Sequence, residues 1–248
     1  MTWRIHHRTE TVSTNLDARA GSHGDVFTAD YQTAGRGRLD HKWLSPPGTN
    51  LMMSAVLSVE GIEPEQVATF PLVVGLAVAK ALRPFVVDDP DAGRKTEDVK
   101  LKWPNDVLVG GKKIAGILCE RHGDNVIAGI GVNVGQTEFD AEIAGRATSL
   151  ALTGHLVVSR LASPVLEVRD AVLASLERLY VLWRAHGFAS VYPEIAASDA
   201  LRGRILSVRQ TDGDSMPLTG LSNGIMPDGS LDVGGVKVYA GEAHVERS

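Results

Sequence analysis

The chain has 248 residues, 44% hydrophobic and 5% aromatic, enough for one large domain or a large domain plus a small one. Its 25 Lys and Arg against 30 Asp and Glu give a formal charge of −5, which excludes a broad basic nucleic-acid surface but not a local cationic pocket. The single cysteine, Cys119, excludes an intrachain disulfide framework, and the start MTWRIHHRTE lacks the apolar core of a signal peptide, so a soluble protein of the cytoplasm is expected.

In chain order, Ser13 or Thr14 reads as the N-cap of a short helix over 14–20. A brief strand at 26–29 and a polar, Gly-rich loop over 32–40 follow. Residues 50–59 (NLMMSAVLSV) form an apolar run that reads as a buried strand. Residues 65–82 are apolar nearly all round and predict a buried helix that begins in earnest at Pro71. The apolar run at 67–79 is too short, as read, to span a bilayer. Residues 86–98 carry mostly charge and predict a solvated loop. Strands are predicted at 99–103, 107–109, 113–120 and 126–134, in an antiparallel set with Gly110-Gly111 closing a hairpin. The spacing of Val168, Val172, Leu173, Leu176 and Leu179 predicts a helix over 164–183 that ends near His186-Gly187. Beyond Ala200, β runs at 204–209, 220–226 and 230–233 alternate with Asp212-Gly213, Asn223-Gly224, Asp228-Gly229 and Gly234-Gly235. They predict a small barrel or meander at 199–248 that docks on a larger domain at 1–198, because about 50 residues fold alone only marginally.

Four segments concentrate chemistry. Gly35-Arg36-Gly37-Arg38, preceded by Gln32 and followed by Trp43, lets backbone approach a ligand while two guanidiniums converge on phosphate or carboxylate. Read alone, it is equally a basic surface loop. Lys102-Trp103-Pro104-Asn105-Asp106 puts a lysine on a strand, facing away from Leu101 and Trp103, with Asn105 and Asp106 at the strand mouth. A strand-ending turn with a solvated lysine fits the same residues. Lys113-Ile-Ala115-Gly116 and Gly129-Ile-Gly131-Val-Asn133 place small residues on neighbouring strands, either a slot for a slender apolar ligand or a site of close packing. Ser13-Thr14-Asn15 is a good helix cap and also a place for a polar ligand head. No paired histidine spacing for zinc and no G-x-S-x-G elbow occurs, and Cys119 reads as a core thiol.

Together these motifs stand in the order and spacing of the biotin protein ligases, which the chain resembles over nearly its whole length, in their bacterial form acting on acetyl-CoA carboxylase. The resemblance implies an α+β fold: a class II aminoacyl-tRNA-synthetase-like mixed or antiparallel sheet flanked by helices, plus a small SH3-like C-terminal β-barrel. It implies two steps. The biotin carboxylate attacks the α-phosphate of ATP, with Mg²⁺ accompanying the nucleotide and no dedicated protein metal site. A lysine of a biotin carboxyl carrier domain then attacks the adenylate, without a covalent enzyme intermediate. By similarity Ser13, Thr14, Asn15 and Gln32 meet the ureido head of biotin, and Ala115, Gly116, Gly129 and Gly131 border its ring and tail. Gly35, Arg36, Gly37 and Arg38 close over carboxylate and phosphate, Lys102 bridges the two anions, and Trp43, Asn105 and Asn133 lie on the nucleotide side. Lys102, Arg36 and Arg38 are the expected catalytic residues, with Arg38 retaining the adenylate. One departure is the run Arg38-Leu39-Asp40-His41, where family members commonly read Arg-x-Gly-Arg. Only 12 residues precede Ser13, so no operator DNA binding is expected. A monomer or weak homodimer away from membranes completes the expectation. The competing readings are a lipoate or octanoate ligase or transferase of the same fold, and a biotin sensor without catalysis.

Overall fold

Seven strands, β1 (Arg4–Thr11), β2 (Asp25–Gln32), β3 (Leu51–Ser58), β4 (Val99–Lys102), β5 (Asp106–Val109), β6 (Lys112–His122) and β7 (Asn125–Val132), form one sheet in the order β1-β2-β3-β7-β6-β5-β4. β1 and β2 run parallel, and every other neighbouring pair is antiparallel. The computed structural model describes residues 1–39, 41–86, 99–153, 163–210 and 216–246. Asp40, residues 87–98 of the expected acidic loop and the Asp212-Gly213 turn lie outside them.

The predicted elements are present with shifted ends. The first helix is a short α-helical turn, α1 (Thr14–Asp17), continued by a 3₁₀ turn to Ala20. The Gly110-Gly111 hairpin forms with φ of 57° and 77° at its two glycines, which only glycine adopts at low cost. Apolar residues on all sides make α3 (Phe70–Leu82) a core helix. It follows α2 (Pro64–Ala68), carries Pro71 in its first turn, and lies between β4–β6 and the long α4 (Pro164–His186). Trp183 of α4 stacks obliquely on Phe70 at 4.7 Å and donates its indole N–H to Thr69 Oγ1 at 3.1 Å. At Gly75 a Cβ would stand 3.1 Å from Leu101 Cδ2, so the missing side chain brings α3 tight against the strand that carries Lys102. The helical stretch Pro64–Phe85 is 22 residues, long and apolar enough by length and composition to cross a bilayer, which corrects the short run read from sequence. Its most apolar window is 67% buried inside the fold.

β1 escaped the sequence reading because RIHHRTET has no apolar alternation; seven of its eight residues are exposed. Backbone pairing and Asp25 hold it. Arg4 Nε donates to Asp25 Oδ1 at 2.8 Å, and His6 Nε2 lies 3.0 Å from the same oxygen. Burial pushes the Asp25 carboxyl up, but the Ser22 amide, His6 and Arg4 outweigh it and bring it down to about 2. A carboxyl depressed on folding adds stability above its unfolded pKa and loses that contribution as pH falls through the folded value. Amide exchange in β1 should therefore accelerate selectively as pH drops from about 4 toward about 2, and Asp25→Asn should remove that pH step. A β1 that loosens no more than β3 over this range would contradict the account.

After α5 (Tyr192–Ala197), five strands, β8 (Ile205–Gln210), β9 (Leu218–Ile225), β10 (Leu231–Val233), β11 (Val236–Val238) and β12 (Gly241–Val245), form a second sheet in the order β11-β10-β9-β8-β12. It is antiparallel and open, with β11 and β12 at its two edges, where a closed SH3-like barrel was expected. Its inner residues Leu206, Val208, Ile225, Leu231, Val233 and Ala243 belong to the same apolar cluster as the large sheet. Residues 198–200 strap it to β4: Leu101 N donates to Ser198 O and Ala200 N to Leu101 O, both at 2.7 Å. Trp103 Nε1 reaches Gly229 O at 3.1 Å.

Candidate active site

An open cavity of about 150 Å³ lies over β6 and β7, between α1, the Gly-rich loop and β12. Its polar end is built by Ser13, Thr14 and Asn15 at the start of α1, with Gln32 at the end of β2. Gln32 Oε1 accepts from Thr14 N at 2.8 Å and lies 3.1 Å from Thr14 Oγ1. Ser54 Oγ, fully buried on β3, is 2.8 Å from Thr14 Oγ1 and 2.6 Å from Asn15 Oδ1. Ser13 has extended backbone (φ −164°, ψ 133°) and its side chain makes no capping hydrogen bond, so the residue lines the cavity instead of closing the helix end. These groups supply donors and acceptors in fixed directions, which an amide-like or ureido head requires.

The floor is formed where Gly129 and Gly131 alternate along β7 beside Gly116 of β6. The space over these glycines is lined by protein groups. A Cβ at Gly129 would stand 2.2 Å from Asn15 Oδ1, and one at Gly131 2.5 Å from Trp43 Cε2. The Trp43 indole thus covers the end of the slot at Gly131 and Gly116, with its N–H buried and without a partner among the described residues. Met52, Met53, Ile117, Leu118 and Ile130 complete an apolar lining between the polar and cationic ends.

Lys102 occupies the other end. Burial alternates from Val99 to Trp103, so Leu101 and Trp103 face the core and Lys102 the cavity, as the strand period predicts. Burial holds Lys102 below the usual lysine pKa, Asp106 opposes this, and Lys113 adds to it. Among the described residues the Lys102 ammonium makes no hydrogen bond or ion pair, whereas Lys113 Nζ is paired with Asp106 Oδ1 at 2.6 Å. Arg38 Nη1 donates to Asn105 Oδ1 at 3.3 Å and to Gly241 O at 3.4 Å, which brings the loop against β12. Asn105 Nδ2 in turn donates to Ile117 O at 2.8 Å, pinning the turn after the cis Trp103–Pro104 bond. Arg36 points the other way and pairs with Glu120 Oε1 at 3.2 Å. The loop closes on itself through Gly37 N to His41 O at 2.7 Å, and His41 Nε2 reaches Glu242 Oε1 at 2.8 Å. Burial pushes the Glu242 carboxyl up, but His41, His244 and Lys102 bring it below the usual carboxylate range.

Of the residues singled out from sequence, Ser13, Thr14, Asn15, Gln32, Arg36, Gly37, Arg38, Trp43, Lys102, Asn105, Gly116, Gly129 and Gly131 line this one cavity. Gly35, Ala115 and Asn133 do not. Gly35 is buried beneath the loop, where a Cβ would meet Trp43 O at 2.3 Å. Ala115 is fully buried on the core face of β6, one residue out of phase with Gly116. Asn133 donates to Thr148 O at 3.0 Å and ties the end of β7 to the following segment. Sequence reasoning left out of the site Lys113 and Asp106, although both sit inside quoted motifs, and Glu242, Ala243 and His244. The last three come from β12, some 140 residues beyond Lys102, and no local pattern announces them.

Fold and cavity together define an α+β protein with an open cavity that is hydrogen-bonding at one end and cationic at the other. The model of the biotin/lipoate A/B protein ligase family matches residues 4–136, and the chain belongs to that family. Biotin protein ligases are among its relatives there. The biotin–[acetyl-CoA-carboxylase] ligase of Mycobacterium tuberculosis is 33% identical, over 94% of this chain and 85% of that one. The bifunctional ligase/repressor BirA of Bacillus subtilis is 32% identical over 74% of this chain, which spans 54% of that relative's length. The Aquifex aeolicus biotin protein ligase solved with biotin and ATP superposes with a TM-score of 0.79 at 29% identity, covering 98% of this chain and 99% of that one.

Proposed function

We propose that this protein uses ATP to convert biotin to biotinyl-5′-AMP and passes the biotinyl group to a lysine of a biotin carboxyl carrier domain. The observation that carries the reading is the joining, in one cavity, of the Thr14-Asn15-Gln32-Ser54 hydrogen-bond cluster to Lys102, a half-buried cation without an ionic partner among the described residues. In the first step a carboxylate oxygen of biotin forms a bond to the α-phosphorus, and the bond to pyrophosphate breaks. Lys102 lies where it offsets the repulsion between the two anions. Mg²⁺ enters with ATP as part of the substrate. In the second step the lysine amine attacks the acyl carbon, AMP departs, and the amine proton passes to solvent. Asn15, Thr14, Ser13 and Gln32 meet the ureido head; Gly37 and Arg38 cover the anions, while Arg36, expected beside them, is held on Glu120 at the other end; Trp43 and Asn105 serve the nucleotide side.

The same proposal extends to a catalytic domain at 1–198, of the adenylate-forming class II synthetase kind, a smaller domain at 199–248, and a place in the cytoplasm beside the carrier. Two acids offered with ATP decide the substrate. Pyrophosphate release with biotin and none with lipoate is the expected result; the reverse would overturn the reading. Arg38 bridges the loop to Asn105 and β12, so Arg38→Gly should let the adenylate escape. Biotin would then appear on lysines of bystander proteins, at least about tenfold above the native level, a change worth about 1.4 kcal/mol in retention. Labelling that stays confined to the carrier would remove Arg38 from this role.

A further inference from the structure

Glu120 stands on β6 beside the polar end of the cavity and is absent from every motif that marks the site. Its Oε2 accepts from Asn15 Nδ2 at 2.6 Å, while Oε1 lies 3.2 Å from Arg36 Nη1 and 3.6 Å from Arg19 Nη2. On its other side the Asn15 amide meets Ser54 Oγ at 2.6 Å.

An asparagine amide has two nearly isosteric orientations, and its neighbours must choose between them. Ser54 cannot choose, because a hydroxyl both donates and accepts. A carboxylate only accepts. Glu120 therefore forces the Asn15 nitrogen toward itself, and Leu118 O, a second acceptor at 3.4 Å from that nitrogen, works in the same sense more weakly. The Asn15 oxygen is then left over Gly129, where it keeps a lone pair for a donor in the cavity. The two guanidiniums on Oε1 hold the carboxylate in this pose.

We propose that Glu120 is a positioning residue for head-group recognition: it acts through Asn15, fixing that amide so that an acceptor faces the ureido N–H of the ligand. The inference rests on the biotin reading above and adds to it the group that sets the polarity of the head-binding cluster.

The isosteric change Glu120→Gln tests it. The new amide keeps the shape, but Arg36 and Arg19 draw its oxygen, so its NH₂ turns toward Asn15 and the Asn15 amide flips. Calorimetry should then show biotin binding weakened about tenfold or more, with KM for ATP and kcat at saturating biotin changed less than about threefold. Asn15→Asp alone sets two carboxylates face to face and should weaken biotin similarly. The double variant N15D/E120Q puts an acceptor-only group at position 15 opposite the new NH₂, and should return biotin affinity to within about threefold of native. Both substitutions are close to isosteric, and thermal melts of all three variants confirm folding before titration. Native-like biotin affinity in Glu120→Gln, or no recovery in the double variant, overturns the proposal while leaving the biotin reading intact. A native protein that fails to bind biotin overturns both.

Discussion

Lys102→Ala should leave a folded protein whose biotin-dependent pyrophosphate release is slower by about 10³-fold, with biotin affinity in the absence of ATP changed far less. The size follows from placement. β4 fixes the backbone, α3 packs against Leu101 through the gap at Gly75, and Trp103 is anchored to Gly229 O, so little conformational freedom is lost when Lys102 meets an anion. The lysine is also half-buried, where a charge acts through less water. Lys113 cannot substitute, because Asp106 already holds it. The direction of the Lys102 shift gives a second measurement. Burial lowers its pKa, so the protonated form is lost on the alkaline side earlier than for an ordinary lysine, and adenylate formation should decline there. Lys102→Arg keeps a charge at all accessible pH and should move that limb upward even where its rate is reduced. Lys112→Ala, on the exposed hairpin, serves as the control. Pyrophosphate release near the native rate in Lys102→Ala would remove this residue from the chemistry.

Gly129→Ala should abolish measurable biotin binding and destabilise the fold by about 1–3 kcal/mol. The added methyl would stand 2.2 Å from Asn15 Oδ1 and 2.9 Å from Asn15 Cγ. Asn15 has no room to yield, because Ser54 holds its oxygen and Glu120 its nitrogen. Gly116→Ala provides the contrast: its nearest neighbours are Trp43 Cζ3 at 3.1 Å and the flexible end of Lys113, and Trp43 rides on a loop. A milder loss, felt more by ATP than by biotin, is expected there. Calorimetry with each substrate separates the two cases, and equal behaviour of the two variants would contradict the rigid Asn15 network.

Residues whose environment is local were legible from the sequence. Lys102 announced its facing by alternating with Leu101 and Trp103, and the Gly110-Gly111 turn announced its hairpin. α3 was legible because it is apolar all round. What escaped depends on partners far along the chain. β1 forms by pairing with β2 despite a polar sequence, and β12 enters the site only because the second sheet packs against the first. Ala115 and Gly116 show the finest limit: adjacent in one motif, they face opposite sides of β6, and choosing between them requires the register. Glu120 lies just beyond the same motif, and nothing in a sequence of alternating strand residues says that its carboxylate meets Asn15.

The strap over β4 governs how many neighbours the large sheet can take. A strand at a sheet border offers unpaired N–H and C=O groups to any extended chain. At β4 the Leu101 groups are already satisfied by Ser198 and Ala200, so that border is closed there by the protein's own chain. β1 is the opposite border; it pairs with β2 on one side and carries side chains that face water. Among the described residues the two borders of the large sheet therefore differ: one is closed at Leu101 by the protein's own chain, and the other ends on a strand whose side chains are mostly charged or polar and exposed.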